Sequence, residues 1–306
     1  MWTYIFWRLL IIFPTLLLLS LLIFLTVRIM PGDPAQIIAG EYATKETVEL
    51  IRKQLGLDRP LHIQYIVFVA KLLRGDLGRS IRTNTPVVEE IKARYANTLT
   101  LTLLAMAIAF LLGVGAGVIS AVRWNTWVDS LVMIIAIIGV SMPIFWSGLL
   151  LMLVFSVKLH WLPSAGAGSP GHLVLPSITL ATLPMAVIAR MTRASVLEII
   201  RQNYIITARA KGLSETVVVW KHVLKNALMP ILTVSGFQMG TLLGGAVVTE
   251  TIFAWPGMGR LLVNSVIARD YPMVQGIILV SAVSVMLVNL AVDLAYAFVN
   301  PRIHYA

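Results

Sequence analysis

The 306-residue sequence contains no cysteine, which excludes disulfides, thiolate metal sites and a cysteine nucleophile. Charge is scarce too, at 12% of residues, and acidic side chains are the scarcer sign: 14 against 24 basic, for a net charge of +10. No GxxxxGK(S/T) run occurs, so no segment is built to cradle nucleotide phosphates in the P-loop manner. The five histidines are scattered without a pair at helical ligand spacing, and no metal site of the chain's own is expected.

What is present in excess is apolar surface. Hydrophobic residues make up 58% of the chain and the mean hydropathy is +0.87, more than a soluble fold can hide. Most basic residues lie between the apolar stretches. That placement points to loops facing anionic lipid and a cytoplasmic partner, and away from nucleic acid.

A helix rises about 1.5 Å per residue and the hydrocarbon layer is about 30 Å thick, so a span needs roughly 20 apolar residues. Six stretches qualify, at about 9–29, 98–122, 128–157, 173–194, 229–249 and 275–299. The third carries Pro143 inside SMPIF and is expected to kink there. A signal-peptide reading of the first is disfavoured, because its apolar run exceeds an ordinary h-region and RIMPGDPA offers no small-x-small cleavage site.

Orientation follows from the basic residues. The segment from Arg190 to Lys225 has seven Lys or Arg against Glu198 and Glu215, and the positive-inside rule places it in the cytoplasm. Residues 31–97 balance ten basic against eight acidic side chains, as suits the outer side. Six spans then put both termini inside. Trp124, Trp127, Trp161 and Trp255 fall where an aromatic belt is expected.

The outer segment reads as a small helical subdomain. Thr44 can cap a helix to about Leu55, with Glu46 in its first turn and Gly56 as its stop. A second helix over Leu61–Leu73 is apolar but short, and should lie on the membrane or on a neighbouring helix rather than span. A turn at Gly75 and Gly78 follows, and Pro86 can open a third helix through Arg94.

Small residues mark close helix packing. Gly113 and Gly117 form a GxxxG pair, and Gly236, Gly240 and Gly244 repeat the spacing on one face of the fifth span. Glu250, at the outer end of that span, and Asp293, in the sixth, are costly in lipid. Each either fixes the bundle through an Arg or a backbone amide, or meets substrate or binding protein. Glu250 and nearby Trp255 are the candidates for the second role.

The basic stretch VLEIIRQNYIITARAKGLSETVVVWKHVLKNALMP, from Val196 to Pro230, has helical spacing on both sides of Lys211-Gly212-Leu213. Gly212 can end one helix, Ser214 can cap the next, and Glu215 sits at that helix's positive end. Two short amphipathic helices at an angle would present a ridge to something in the cytoplasm.

Here the sequence resembles a known family. TARAKG at 207–212, followed by NALMP, is similar to the cytoplasmic EAA loop of binding-protein-dependent ABC importers. MPGDP from Met30, QLGLDRPLHIQY from Gln54, GDLGRS from Gly75, ETIFAWPGMGRLL from Glu250, RDYPMVQG from Arg269 and NLAVDLAYAFVNPRI from Asn289 resemble the dipeptide/oligopeptide/nickel permeases of that group. SMPIFW from Ser141 and LPMAVIARMTRAS from Leu183 are closest to the dipeptide branch, and parts resemble glutathione permeases. Ile206 and Thr207 stand where Glu and Ala are usual in the EAA pattern, and Lys225 replaces a nearby Pro.

The resemblance implies an all-α membrane protein of six transmembrane helices with the type I ABC importer permease fold. Its parts would be 1–30, the extracytoplasmic subdomain 31–97, and a permease core 98–306 that contains the coupling loop 195–228. It implies a multi-pass permease of the bacterial inner membrane that imports dipeptides or related small peptides, with oligopeptide, glutathione or nickel chelate as the alternative substrates, and is not itself an enzyme. The partners implied are a second homologous permease, two ABC ATPase subunits that hold ATP and Mg, an extracytoplasmic substrate-binding protein, and membrane lipid. Thr207, Ala208, Arg209, Ala210, Lys211, Gly212, Leu213 and Ser214 would then seat in a groove of an ATPase. A secondary transporter is the rival of another class, but it needs an ion site and usually an inverted repeat, neither of which is seen.

Overall fold

The computed structural model describes residues 2–29, 34–39, 43–54 and 56–299. Met30–Asp33 of the MPGDP motif and the last residues of the closing motif lie outside them. The described residues are helical, with one isolated bridge between Arg79 and Pro86 and no strand.

The helices are α1 (Trp2–Ile29), α2 (Pro34–Ala39), α3 (Lys45–Gln54), α4 (Leu61–Leu73), α5 (Val87–Val122), α6 (Trp127–Ser141) and α7 (Ile144–Leu151), the last continuing as π-helix over Met152–Lys158. There follow α8 (Gly171–Ile200), α9 (Asn203–Ala210), α10 (Glu215–Val217), a π-helical passage Val218–Val223, α11 (Leu224–Ile252), α12 (Met258–Ile267) and α13 (Tyr271–Val299).

Among the described residues, four helical stretches are long and apolar enough to cross a membrane: Val87–Val122, Gly171–Ile200, Glu215–Ile252 and Tyr271–Leu294. A fifth is counted if α6 and the Ile144–Lys158 arm make one span. Those two arms meet at 109°, far more than the kink expected at Pro143. Met142 is extended and Pro143 opens α7, as follows when proline bars its predecessor from the helical region. The first expected span is represented by the shorter apolar stretch Leu10–Thr26.

Two other expectations change. No separate helix ends at Arg94, because nothing from Tyr95 to Asn97 breaks a helix; α5 runs on for 36 residues, about 54 Å at the usual rise. Nor is the helix after Ser214 short: Glu215–Ile252 is one 38-residue helical stretch that carries Pro230 inside it. By contrast, α4 has its expected bounds, and Thr44 Oγ1 accepts the Thr47 amide at 3.3 Å ahead of α3.

The chain divides into two compact units, one built on Asn97–Arg260 with the end of α13, the other on Ile5–Ala96 with Leu261–Ser284. In the first, a continuous apolar core takes Leu101, Ala105 and Ala109 from α5, Leu180, Ile188 and Val196 from α8, and Ile231, Leu242 and Ala246 from α11. Leu103, Leu111 and Leu112 of α5 and Ile134, Ile135, Ile137 and Ile138 of α6 remain exposed, the outward apolar surface of a membrane-embedded chain.

In the second unit α4 packs on α1. Tyr65 Oη lies 2.9 Å from Ser20 Oγ and its ring meets buried Phe24 edge-on at 5.3 Å. Asp270 opens α13, accepting the Met273 amide at 3.4 Å and the Ile81 amide at 3.1 Å, and taking a further hydrogen bond from Ser80 Oγ.

Candidate functional site

The basic segment is built on the apolar core rather than hung from it. Ile205 and Ala208 of α9, with Val218, Val219 and Val223 of the π-helical passage, are buried in the same cluster as α5, α8 and α11. Tyr204 Oη accepts the Asn226 amide at 2.9 Å, a second tie between α9 and α11.

Between α9 and α10 the chain turns at Lys211 and Gly212. Gly212 has φ +79°, a conformation that L side chains adopt at a cost, and an added Cβ there would meet open space; the glycine answers to the backbone alone. Ser214 occupies the N-cap position with extended backbone, but its hydroxyl makes no capping bond, contrary to expectation. The turn is closed by charge instead: Arg209 Nε and Nη2 donate to Glu215 Oε1 and Oε2 at 2.6 and 3.2 Å. That bidentate contact raises the pKa of the Arg209 guanidinium further, so it stays protonated.

Of the eight residues from Thr207 to Ser214, Ala208 faces the core and the other seven are exposed. Beside them in the chain are Ile206 and Trp220, each 57% exposed, with Val217, and the exposed cations Arg201, Lys221 and Lys225, which join Arg209 and Lys211 within the eight. Exposed apolar side chains with cations close by in the chain, on a support buried in the core, suit a docking ridge for a protein partner.

Glu250 and Trp255 lie elsewhere, and both are buried. Glu250 Oε1 accepts from Thr98 Oγ1 at 2.6 Å, and Oε2 accepts the Arg260 amide at 3.0 Å. Thr98 Oγ1 in turn accepts the Met258 amide at 2.8 Å. The Trp255 indole N–H donates to the Asn97 carbonyl at 3.1 Å, and Asn97 Nδ2 donates to the Pro256 carbonyl at 2.8 Å. A Cβ on Gly257 would overlap the Glu250 carboxylate, so the loop wraps it with no gap. Of the two roles open to Glu250, fixing the bundle through backbone amides matches these contacts, and neither Glu250 nor Trp255 presents a polar atom outward. Burial also removes Trp255 from the aromatic belt, whereas Trp124, Trp127 and Trp161 are exposed.

The glycines divide. Added Cβ atoms would stand 2.8 Å from the Met185 carbonyl at Gly113 and 2.5 Å from the Ala189 carbonyl at Gly117, so α5 and α8 meet backbone to backbone there. Gly236 lies so close to Val292 of α13 that a Cβ would collide with it. Gly240 has ordinary clearance, its nearest neighbour being Asn289 Oδ1 at 3.5 Å, and Gly244 faces open space. The three therefore do not form one continuous packing face within this chain.

One constellation had little warning in the sequence. Asp129, in the first turn of α6, is 4% exposed and accepts four hydrogen bonds. Arg193 of α8 donates Nε at 2.7 Å and Nη2 at 2.8 Å; Ser120 Oγ lies at 2.5 Å and the Asn125 amide at 3.0 Å. The available signal was an acid just inside an apolar stretch, where it needs a partner. Among the described residues no group of three His, Cys, Asp or Glu is placed to hold a metal.

Two family models match the chain: the binding-protein-dependent transport system inner membrane component over residues 113–305, and the N-terminal part of such membrane components over residues 1–102. The chain belongs to this family. It is 50% identical over 305 residues, covering all of both chains, to the glutathione transport system permease protein GsiC of Escherichia coli O6:H1. It is 49% identical to that of strain K12 and 48% to that of Salmonella paratyphi A, with the same coverage. Among solved structures, the inward-facing MetNI methionine ABC transporter superposes with a TM-score of 0.60 at 21% identity, over 70% of this chain and 97% of that one. An amino acid ABC transporter with histidines gives 0.55 at 16%, over 69% and 94%. These two likenesses bear on fold. The protein is thus a multi-pass inner-membrane permease of an ABC importer and not an enzyme, and membership implies ATPase and substrate-binding protein partners.

Proposed function

We propose that this permease imports small peptides, dipeptides or glutathione, as one half of a heterodimeric pathway, and that residues 207–214 dock on an ATPase subunit. The observation that carries the substrate class is the 50% identity along the whole chain to permeases named for glutathione transport. Supporting the docking role are the core-anchored, outward-facing ridge and the exposed cations in and beside it.

In this reading α1 completes six spans, residues 31–97 form the extracytoplasmic subdomain, both termini are cytoplasmic, and segment 195–228 faces the ATPase. ATP and Mg stay on the partner subunits. A rigid helix end seated in a partner's cleft moves with that partner, so closure of the ATPase pair levers the spans between inward-open and outward-open arrangements.

The test uses the absence of native cysteine. With the full assembly in proteoliposomes, Leu213→Cys is paired with single cysteines on the ATPase subunits, and uptake of labelled glutathione and labelled dialanine is followed. A disulfide whose yield changes with ATP, and ATP-dependent uptake of either compound, is the expected result. Uptake on an ion gradient without the ATPases would refute the reading.

A further inference from the structure

We propose that the turn joining α5 and α6 is a second coupling element: fastened to α8 by Asp129–Arg193 and Trp124–Arg201, it carries displacement of segment 203–217 into α6. The proposal rests on the reading of that segment as the ATPase-docking loop.

Two separate contacts join the same pair of elements. Asp129 takes both Arg193 nitrogens side by side, which fixes orientation as well as distance. Its remaining capacity is spent on Ser120 of α5 and on the amide of Asn125, a turn residue at φ +60°. One carboxylate thus gathers α5, the turn, α6 and α8. Two turns further along α8, the Arg201 guanidinium lies over the Trp124 ring, 5.0 Å from its centroid. Arg201 caps α8, and α9 begins two residues later.

On the side of Arg193 away from Arg201, the same helices pack closely. Gly113 and Gly117 bring α5 against the α8 backbone, and Gly139 brings α6 within 3.2 Å, by an added Cβ, of Ala186. Close-packed elements without voids move together or not at all. Yet the turn itself, Arg123–Trp127, is exposed, so the two clamps supply the grip that burial does not. A buried ion pair contributes little net stability compared with apolar side chains of the same shape. What a bidentate pair does supply is a fixed geometry, and here it stands at the end of α8 that leads into the docking segment.

The experiment places spin labels at Ile134 of α6 and Asn203 of α9, both exposed, in the otherwise cysteine-free chain, and assembles it with its permease and ATPase partners in nanodiscs. Pulsed EPR compares nucleotide-free with ATP–vanadate-trapped samples. The expected result is one narrow distance that is the same in both states, because α6 travels with the segment. In the paired variant Asp129→Asn/Arg193→Gln, which leaves no orphan charge, that distance shifts between states; exposed Trp124→Ala gives a smaller shift. Retention of the ATP-sensitive Leu213 crosslink reports that the variants fold and dock. A native distance that changes with nucleotide overturns the proposal, as does a paired variant that behaves like the native chain or loses the crosslink. Absence of the crosslink in the unsubstituted chain removes the docking reading itself, a separate outcome.

Discussion

Asp129 and Glu250 are both buried acids in one unit of the molecule, yet they are accommodated by different means. Asp129 meets an opposite charge in a bidentate pair and adds two neutral donors. Glu250 meets no cation; a threonine hydroxyl and backbone N–H groups satisfy it, and Gly257 and Gly259 let the loop close upon it. The first is a solution by charge, sensitive to which partner is lost. The second is a solution by shape, sensitive to any added atom.

The largest expected effect tests the charge side. Arg193→Ala leaves Asp129 buried and unpaired and should destabilise the protein by about 3 kcal/mol. Asp129→Ala should cost less, because the Arg193 side chain keeps a quarter of its surface in contact with solvent. Thermal unfolding of the two variants in nanodiscs measures the asymmetry, and equal losses would refute it.

Next is the shape side. Gly257→Ala forces a methyl group onto the Glu250 carboxylate, a loss of about 2 kcal/mol. Glu250→Asp withdraws that carboxylate by one methylene, so the double variant should recover part of the loss. A double-mutant cycle with purely additive losses would mean that the two residues do not compete for space.

A smaller loss is expected from Thr98→Val, which deletes a hydroxyl that both donates to Glu250 and accepts from Met258. About 1–2 kcal/mol is the ordinary cost of stranding such a buried partner. Unfolding midpoints unchanged from the parent would show that water replaces the hydroxyl.

The smallest effect on stability belongs to an ion pair outside either cluster. Arg209 and Glu215 are both exposed, and Arg209→Ala should cost under about 1 kcal/mol. The same substitution should lower the yield of the Leu213 crosslink, since it loosens the turn that presents Leu213. A fall in stability without a change in crosslinking would put Arg209 with the packing residues instead.

Much of the helix plan was legible because hydropathy and turn chemistry are local. The bounds of α4, the cap before α3 and the left-handed Gly212 could be read from apolar runs, Thr44 and a lone glycine. The join of the Pro86 helix to the next span was missed because the charges from Glu89 to Arg94 look like a boundary, although a helix tolerates them where nothing breaks its hydrogen bonds. The role of Glu250 stayed open between two readings, because its partners, Thr98 and the Arg260 amide, are set by folding rather than by spacing. Gly236, Gly240 and Gly244 share one helical face in sequence, yet one is crowded, one relaxed and one open.

The sequence by itself determined the membrane class, most of the spans and the basic segment at 195–228, since each depends on composition and local pattern, while its ordered motifs carried the family resemblance. Only the tertiary structure decided that Asp129 finds Arg193, that a loop closes over Glu250, that Trp255 is buried, and that the chain bends by 109° at Pro143. Those outcomes depend on which helices meet, and the meeting is governed by packing between residues far apart in the chain, to which no local pattern is sensitive.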